Sequence, residues 1–132
     1  MNAKLANPIR IGVVGYGNLG RGVENAVAKN ADMEVVGIYT RRDPAQLTPL
    51  FAGTPVFAMA DLDGHADRID VLVLCGGSKD DLPVQSPALA AKFCIVDSFD
   101  THARVPEHFA AVDAAAQAAN TTALICAGWD PG

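Results

Sequence analysis

Basic charge is scarce in this chain of 132 residues: ten lysines and arginines stand against fifteen aspartates and glutamates, for a formal charge of −5. That balance argues against nucleic acid or an acidic membrane as the main partner and leaves room only for a local basic site. Cysteine is sparse. Cys75, Cys94 and Cys126 lie far apart, form no C-x-x-C pair and sit within or at the end of apolar runs. They suggest neither a disulfide frame nor a metal site; as buried, reduced strand thiols they point to the cytoplasm. No run approaches the ~20 apolar residues of a membrane span. Residues 1–8 carry no apolar core of signal-peptide length and read as a short frayed lead-in.

Aromatics make up only 6% of the chain, yet half of it is hydrophobic, much of that alanine and valine. Such content suits helices packed on a parallel sheet. The length is that of one domain, residues 1–132, with a real core.

Residues 9–14 form a short, mostly β-branched run, the length of a buried strand. Gly15, Gly17 and Gly20 follow at G-x-G-x-x-G spacing, and a helical pattern over residues 18–29 begins at once, with Val23, Ala26 and Val27 on one face. Asn30 and Asp32 close that helix. The first glycine permits a tight turn, the second lets backbone approach a pyrophosphate, and the third packs the helix on its strand. Phosphates would then rest on the N–H groups of the helix N-terminus. A lone glycine motif is a weak signal, but residues 34–40 supply a second strand ending about 20 residues after Gly20, where the ribose-reading position belongs.

That position holds Thr40-Arg41-Arg42 in place of an acid. Two guanidiniums pair with a 2′-phosphate where an acid would repel it, so NADP is expected over NAD. Residues 43–55, rich in proline, form a loop with room for one helical turn. A short strand at 56–58 and a short helix at 61–68, capped by Asp61 or Asp63, come next. His65 has no partner at metal-ligand spacing and is given no role.

Residues 71–75 are continuously apolar, the pattern of a strand covered on both faces. They lead into Gly76-Gly77-Ser78-Lys79-Asp80-Asp81, a second wall of the cofactor site, where Ser78 is placed to cap the helix at 83–92. A strand at 93–96 leads to Asp97-Ser98-Phe99-Asp100. Both acids fall at the ligand edge, although Asp97 also suits capping the turn. A helix at 105–119 and a strand at 122–127 complete the pattern, and Gly128-Trp129-Asp130-Pro131-Gly132 reaches the same edge. The expected fold is α/β: a Rossmann-type doubly wound parallel sheet of about six strands with helices on both faces. It is expected to be a cofactor half without a substrate half: a fragment, a unit completed by another chain, or a bare nucleotide-binding module.

Five collinear stretches resemble the coenzyme-binding half of the meso-diaminopimelate D-dehydrogenase family: Val14-Gly15-Tyr16-Gly17-Asn18-Leu19-Gly20-Arg21, Val36-Gly37-Ile38-Tyr39-Thr40-Arg41-Arg42, Leu74-Cys75-Gly76-Gly77-Ser78, Val96-Asp97-Ser98-Phe99-Asp100-Thr101-His102 and Gly128-Trp129-Asp130-Pro131-Gly132. The last, with Asp97-Ser98-Phe99-Asp100, is the most specific. Phe99 stands where a tyrosine is expected in some relatives, and Gly76 where others carry a bulkier residue.

The resemblance implies a homodimeric, NADP-dependent oxidoreductase of lysine and cell-wall precursor metabolism. It would deaminate the D-centre of meso-2,6-diaminopimelate to L-2-amino-6-oxopimelate and ammonia, with no metal. The resemblance puts the pyrophosphate on Gly15, Tyr16, Gly17, Asn18, Leu19 and Gly20, and the 2′-phosphate on Thr40, Arg41 and Arg42. Cys75, Gly76, Gly77, Ser78, Ser98, Phe99 and Asp100 would run along the cofactor. Asp100, Asp130 and Trp129 would meet the reacting centre, the acids accepting N–H bonds from the amine and Trp129 excluding water. Other readings are an NADP-binding module without turnover, or another two-domain NADP oxidoreductase such as dihydrodipicolinate reductase or a sugar dehydrogenase; the Gly-Trp-Asp-Pro-Gly ending argues against both enzymes.

Overall fold

A computed structural model describes residues 4–128. Its centre is a six-stranded parallel sheet in the order β3-β2-β1-β4-β5-β6, made of β1 (Ile9–Val14), β2 (Met33–Thr40), β3 (Val56–Ala58), β4 (Val71–Leu74), β5 (Ile95–Asp97) and β6 (Ala123–Leu124). This is the Rossmann-type order, with its switch point between β1 and β4.

Alternation along β1 sends its side chains to two cores. Ile11 and Val13 join Ile38 of β2 and Val27 of α1 (Asn18–Ala28) on one face. Val14 joins Leu72 and Leu74 of β4 on the other, with Leu82 and Leu89 of α2 (Leu82–Ala90) and Val112 and Ala116 of α3 (Val105–Ala119). Helices therefore cover both faces, and the middle strands must be apolar on both sides.

The expected elements stand, with corrections at their ends. α3 has the expected bounds because Asn120 follows it in the left-handed conformation (φ 55°), which asparagine tolerates as a helix stop. β6 is shorter than the apolar run 122–127: Cys126 takes φ 61° and its N–H leaves the sheet for the Asp97 side chain. Residues 59–68 form a 3₁₀ helix, Met59–Arg68, with no side-chain cap from Asp61 or Asp63. On α1 the buried face holds Gly20, Glu24, Val27 and Ala28, and Ala26 is exposed. Lys4 is tied down, its ammonium donating to the carbonyls of Val27 (2.8 Å) and Asn30 (2.6 Å) at the negative end of the α1 dipole. Among the described residues no helix is long and apolar enough to cross a membrane.

Candidate functional site

The site opens at the switch point, where the loops after β1, β2 and β4 converge. Gly15 adopts φ +87°, a conformation side chains resist, and turns the chain out of β1. A Cβ on Gly20 would collide with the Gly15 carbonyl oxygen, so the turn of α1 packs directly on the loop. Around Gly17 the opposite holds: a Cβ there would meet nothing within 4 Å. Gly17 is also the N-cap of α1, with no side-chain cap and no acid in the first turn. The positive end of α1 is therefore left without a side-chain cap or an acidic neighbour, which suits an anion.

The loops enclose a cavity of about 380 Å³ lined by Gly15, Tyr16 and Gly17 from the first loop, Thr40, Arg41 and Arg42 from the second, and Cys75, Gly76 and Gly77 from the third. Val14, Tyr39, Met59, Asp81 and Gln85 complete the lining. The two arginines are anchored differently. Arg42 donates to the Tyr16 carbonyl (3.1 Å) and its backbone N–H to Thr40 Oγ1 (3.1 Å). Arg41 crosses the cavity mouth to Asp81 (2.9 Å), whose second oxygen accepts the Gly77 N–H (3.0 Å). That backbone bond, more than the arginine, holds the Asp81 carboxyl below its ordinary value despite some burial. Gln85 Oε1 is buried without a hydrogen-bond donor. Burial pushes the Cys75 thiol up to about 12, so it packs as a neutral group.

Of the residues expected at the site, Gly15, Tyr16, Gly17, Thr40, Arg41, Arg42, Cys75, Gly76 and Gly77 share this one cavity. Asn18 and Leu19 are exposed in the first turn of α1 beside it, and Gly20 is buried behind the loop. Ser78 does not cap α2; its Oγ accepts the Asp100 N–H (2.9 Å), joining the loops after β4 and β5. Ser98 is half-buried and Asp100 exposed. Phe99 is outside the cavity lining: 1% exposed, its ring stacks on His108 at 4.0 Å between centroids. Trp129 and Asp130 lie outside the described residues. Among the described residues no group of three or more His, Cys, Asp or Glu could hold a metal.

Three features escaped the sequence reading. Gln85, four residues after Asp81 of the expected wall loop, reaches the cavity with it; that spacing was the available signal. His65 is not idle, its Nδ1 lying 2.7 Å from the Tyr39 hydroxyl. Asp97 does cap the turn after β5, through the Phe99 N–H, but it is fully buried and its further partners were not foreseen. It accepts from Ser86 Oγ (2.6 Å), His108 Nε2 (2.8 Å) and the N–H groups of Phe99 (3.1 Å) and Cys126 (2.9 Å). Burial alone would raise its pKa; these four bonds outweigh burial and lower it.

No family model matches the chain. Over 124 residues, 94% of its length, it is 53% identical to the meso-diaminopimelate D-dehydrogenase of Acetivibrio thermocellus. The chain is similar to meso-diaminopimelate D-dehydrogenases. It spans about 37% of the length of that relative, well under half. Among solved structures, an engineered D-amino acid dehydrogenase bound to NADP+ superposes with a TM-score of 0.84 at 49% identity, covering 96% of this chain and 38% of that one. The Corynebacterium glutamicum DAP dehydrogenase in complex with DAP gives the same TM-score, 0.84, at 49% identity, again covering 96% of this chain and 38% of its own.

Proposed function

We propose that residues 1–132 form the NADP(H)-binding domain of a meso-diaminopimelate dehydrogenase. The observation that supports this most directly is the single cavity joining an uncapped, acid-free helix N-terminus at Gly17 to Thr40, Arg41 and Arg42. The residues present fit the cofactor. Open space at Gly17 admits a pyrophosphate, the arginines suit a 2′-phosphate, and Gln85 offers a buried acceptor in the same wall. Likeness to an NADP+-bound D-amino acid dehydrogenase and to a DAP-bound DAP dehydrogenase supports the cofactor and substrate.

Bound NADP would supply the hydride acceptor for oxidation of the substrate's D-amino centre, and hydrolysis would release ammonia. The chain's own part is to hold and orient. The exposed Asp100 carboxylate, its backbone fastened to Ser78, would accept N–H bonds from the amine, with Asp130 as a second acceptor and Trp129 as an apolar wall. Homodimer assembly rests on the same resemblance, and residence in the cytoplasm on it and on three free cysteines. A second reading is a module that holds NADP without turnover; the share of its relatives that the chain spans favours it for the isolated chain.

Titration of the purified chain with NADPH and NADH, followed by an assay of meso-diaminopimelate-dependent NADP reduction, tests both readings. Preference for NADPH without turnover supports a cofactor-binding domain that acts with further protein. Turnover shows that these residues suffice. A folded sample that binds neither nucleotide overturns both.

A further inference from the structure

A carboxylate on the buried face of α1 lies behind the cavity and takes no part in the binding just described. Glu24 is 1% exposed, and both of its oxygens are used. Oε1 accepts from the Tyr16 hydroxyl and the Leu50 N–H (3.0 Å); Oε2 accepts from the Phe51 N–H (3.2 Å) and Thr54 Oγ1 (2.5 Å). The Tyr16 oxygen takes a second bond from Leu50 N–H (2.7 Å), while the Tyr16 carbonyl receives Arg42. Glu24 therefore touches both ends of one arrangement: the glycine loop through Tyr16, and the far end of the arm that begins at Arg41 and Arg42.

We propose that Glu24 is a positioning residue that locks the arginine-bearing arm to the pyrophosphate loop and thereby sets the preference for a 2′-phosphorylated dinucleotide. The inference rests on the NADP reading. Residues 41–54 leave the sheet at Thr40 and return at Pro55, whose carbonyl accepts the Ile38 N–H (2.9 Å). Between those points the bonds to Leu50, Phe51 and Thr54 hold the arm against α1. The glycine turn has its own supports, the φ of Gly15 and the contact of Gly20, and does not need Glu24 to keep its shape. Without the carboxylate, the arginines lose their fixed geometry while the pyrophosphate cradle persists. A purely structural buried acid would give the opposite pattern, because its loss would loosen the whole fold and weaken both nucleotides alike.

The test compares Glu24→Gln and the milder Thr54→Val with the parent chain by fluorescence titration with NADPH and with NADH, alongside thermal melts. Glu24→Gln should weaken NADPH about 10-fold and NADH less than about 3-fold, because charged hydrogen bonds that order a phosphate site are exchanged for neutral ones. Thr54→Val should move the ratio the same way by about 3-fold, and it decides the matter if Glu24→Gln does not fold. Equal losses for both nucleotides, or an unchanged ratio in a folded variant, overturn the proposal. A parent chain that holds NADPH no better than NADH overturns the underlying NADP reading as well.

Discussion

Arg41 Nη2 lies 2.9 Å from Asp81 Oδ1, so a single ion pair spans the mouth of the cavity between the loops after β2 and β4. The arginine side chain is 69% exposed and the aspartate 25%, which makes the pair weak as a stabiliser. Its weight falls on binding, since a 2′-phosphate would compete with Asp81 for the same guanidinium. Asp81→Ala also frees the exposed Gly77 N–H, a bond worth about 1 kcal/mol, so the melting temperature should fall only slightly, and NADPH should tighten about 3-fold as a like charge is removed. Titration at low and high salt checks this; weaker NADPH binding would mean instead that Asp81 holds Arg41 in place for the ligand.

Two alanine substitutions in one loop should separate folding from binding. At Gly17 the backbone is extended (φ −92°) and a Cβ meets nothing, so Gly17→Ala should stay within about 1 kcal/mol of the parent in stability. Its methyl group would stand in the space proposed for the pyrophosphate, and both nucleotides should weaken together. Gly20→Ala drives a Cβ into the Gly15 carbonyl oxygen, which is backbone and cannot swing aside, and should cost about 1–3 kcal/mol of stability. Denaturation and nucleotide titration on the same two samples distinguish the cases.

Asp97 predicts an acid limit to stability. Its folded pKa is lowered, so its contribution is fully present above the unfolded value of about 3.9 and is lost as pH falls through the lower folded value. Asp97→Ala strands four donors, from Ser86, His108, Phe99 and Cys126, and should cost roughly 3–5 kcal/mol near neutrality. The gap between parent and variant should be flat from about pH 5 upward and close below about pH 4. A gap that stayed constant into strong acid would show that Asp97 is not held as a carboxylate.

Most of the frame was legible because it depends on local pattern. The β-branched run before Gly15, the glycine spacing and the apolar run at 71–74 each imply an element, and Arg41 and Arg42 fall at a fixed offset from the turn. The misses share a cause. Nothing near Glu24 along the chain marks it as buried, because residues 50–54 return from afar to cover it. Asp97 caps its turn as expected, but Ser86, His108 and Cys126 reach it from distant parts of the chain. β6 stops early because of a tertiary bond to Cys126, which hydrophobicity along the chain does not encode.

The sequence by itself therefore determined the order of strands and helices, the turn that needs Gly15 and Gly20, and the placing of two arginines after β2. These follow from backbone sterics and side-chain periodicity over a few residues. Only the tertiary structure decided which distant groups meet. Setting β4 beside β1 puts Cys75 and Gly76 against Gly15 and completes a cavity. The same folding buries Glu24 and Asp97, and a buried carboxylate must be met by donors wherever they come from. Those donors lie up to 30 residues away along the chain from Glu24 and up to 29 from Asp97, a pairing that chain topology sets and local sequence does not.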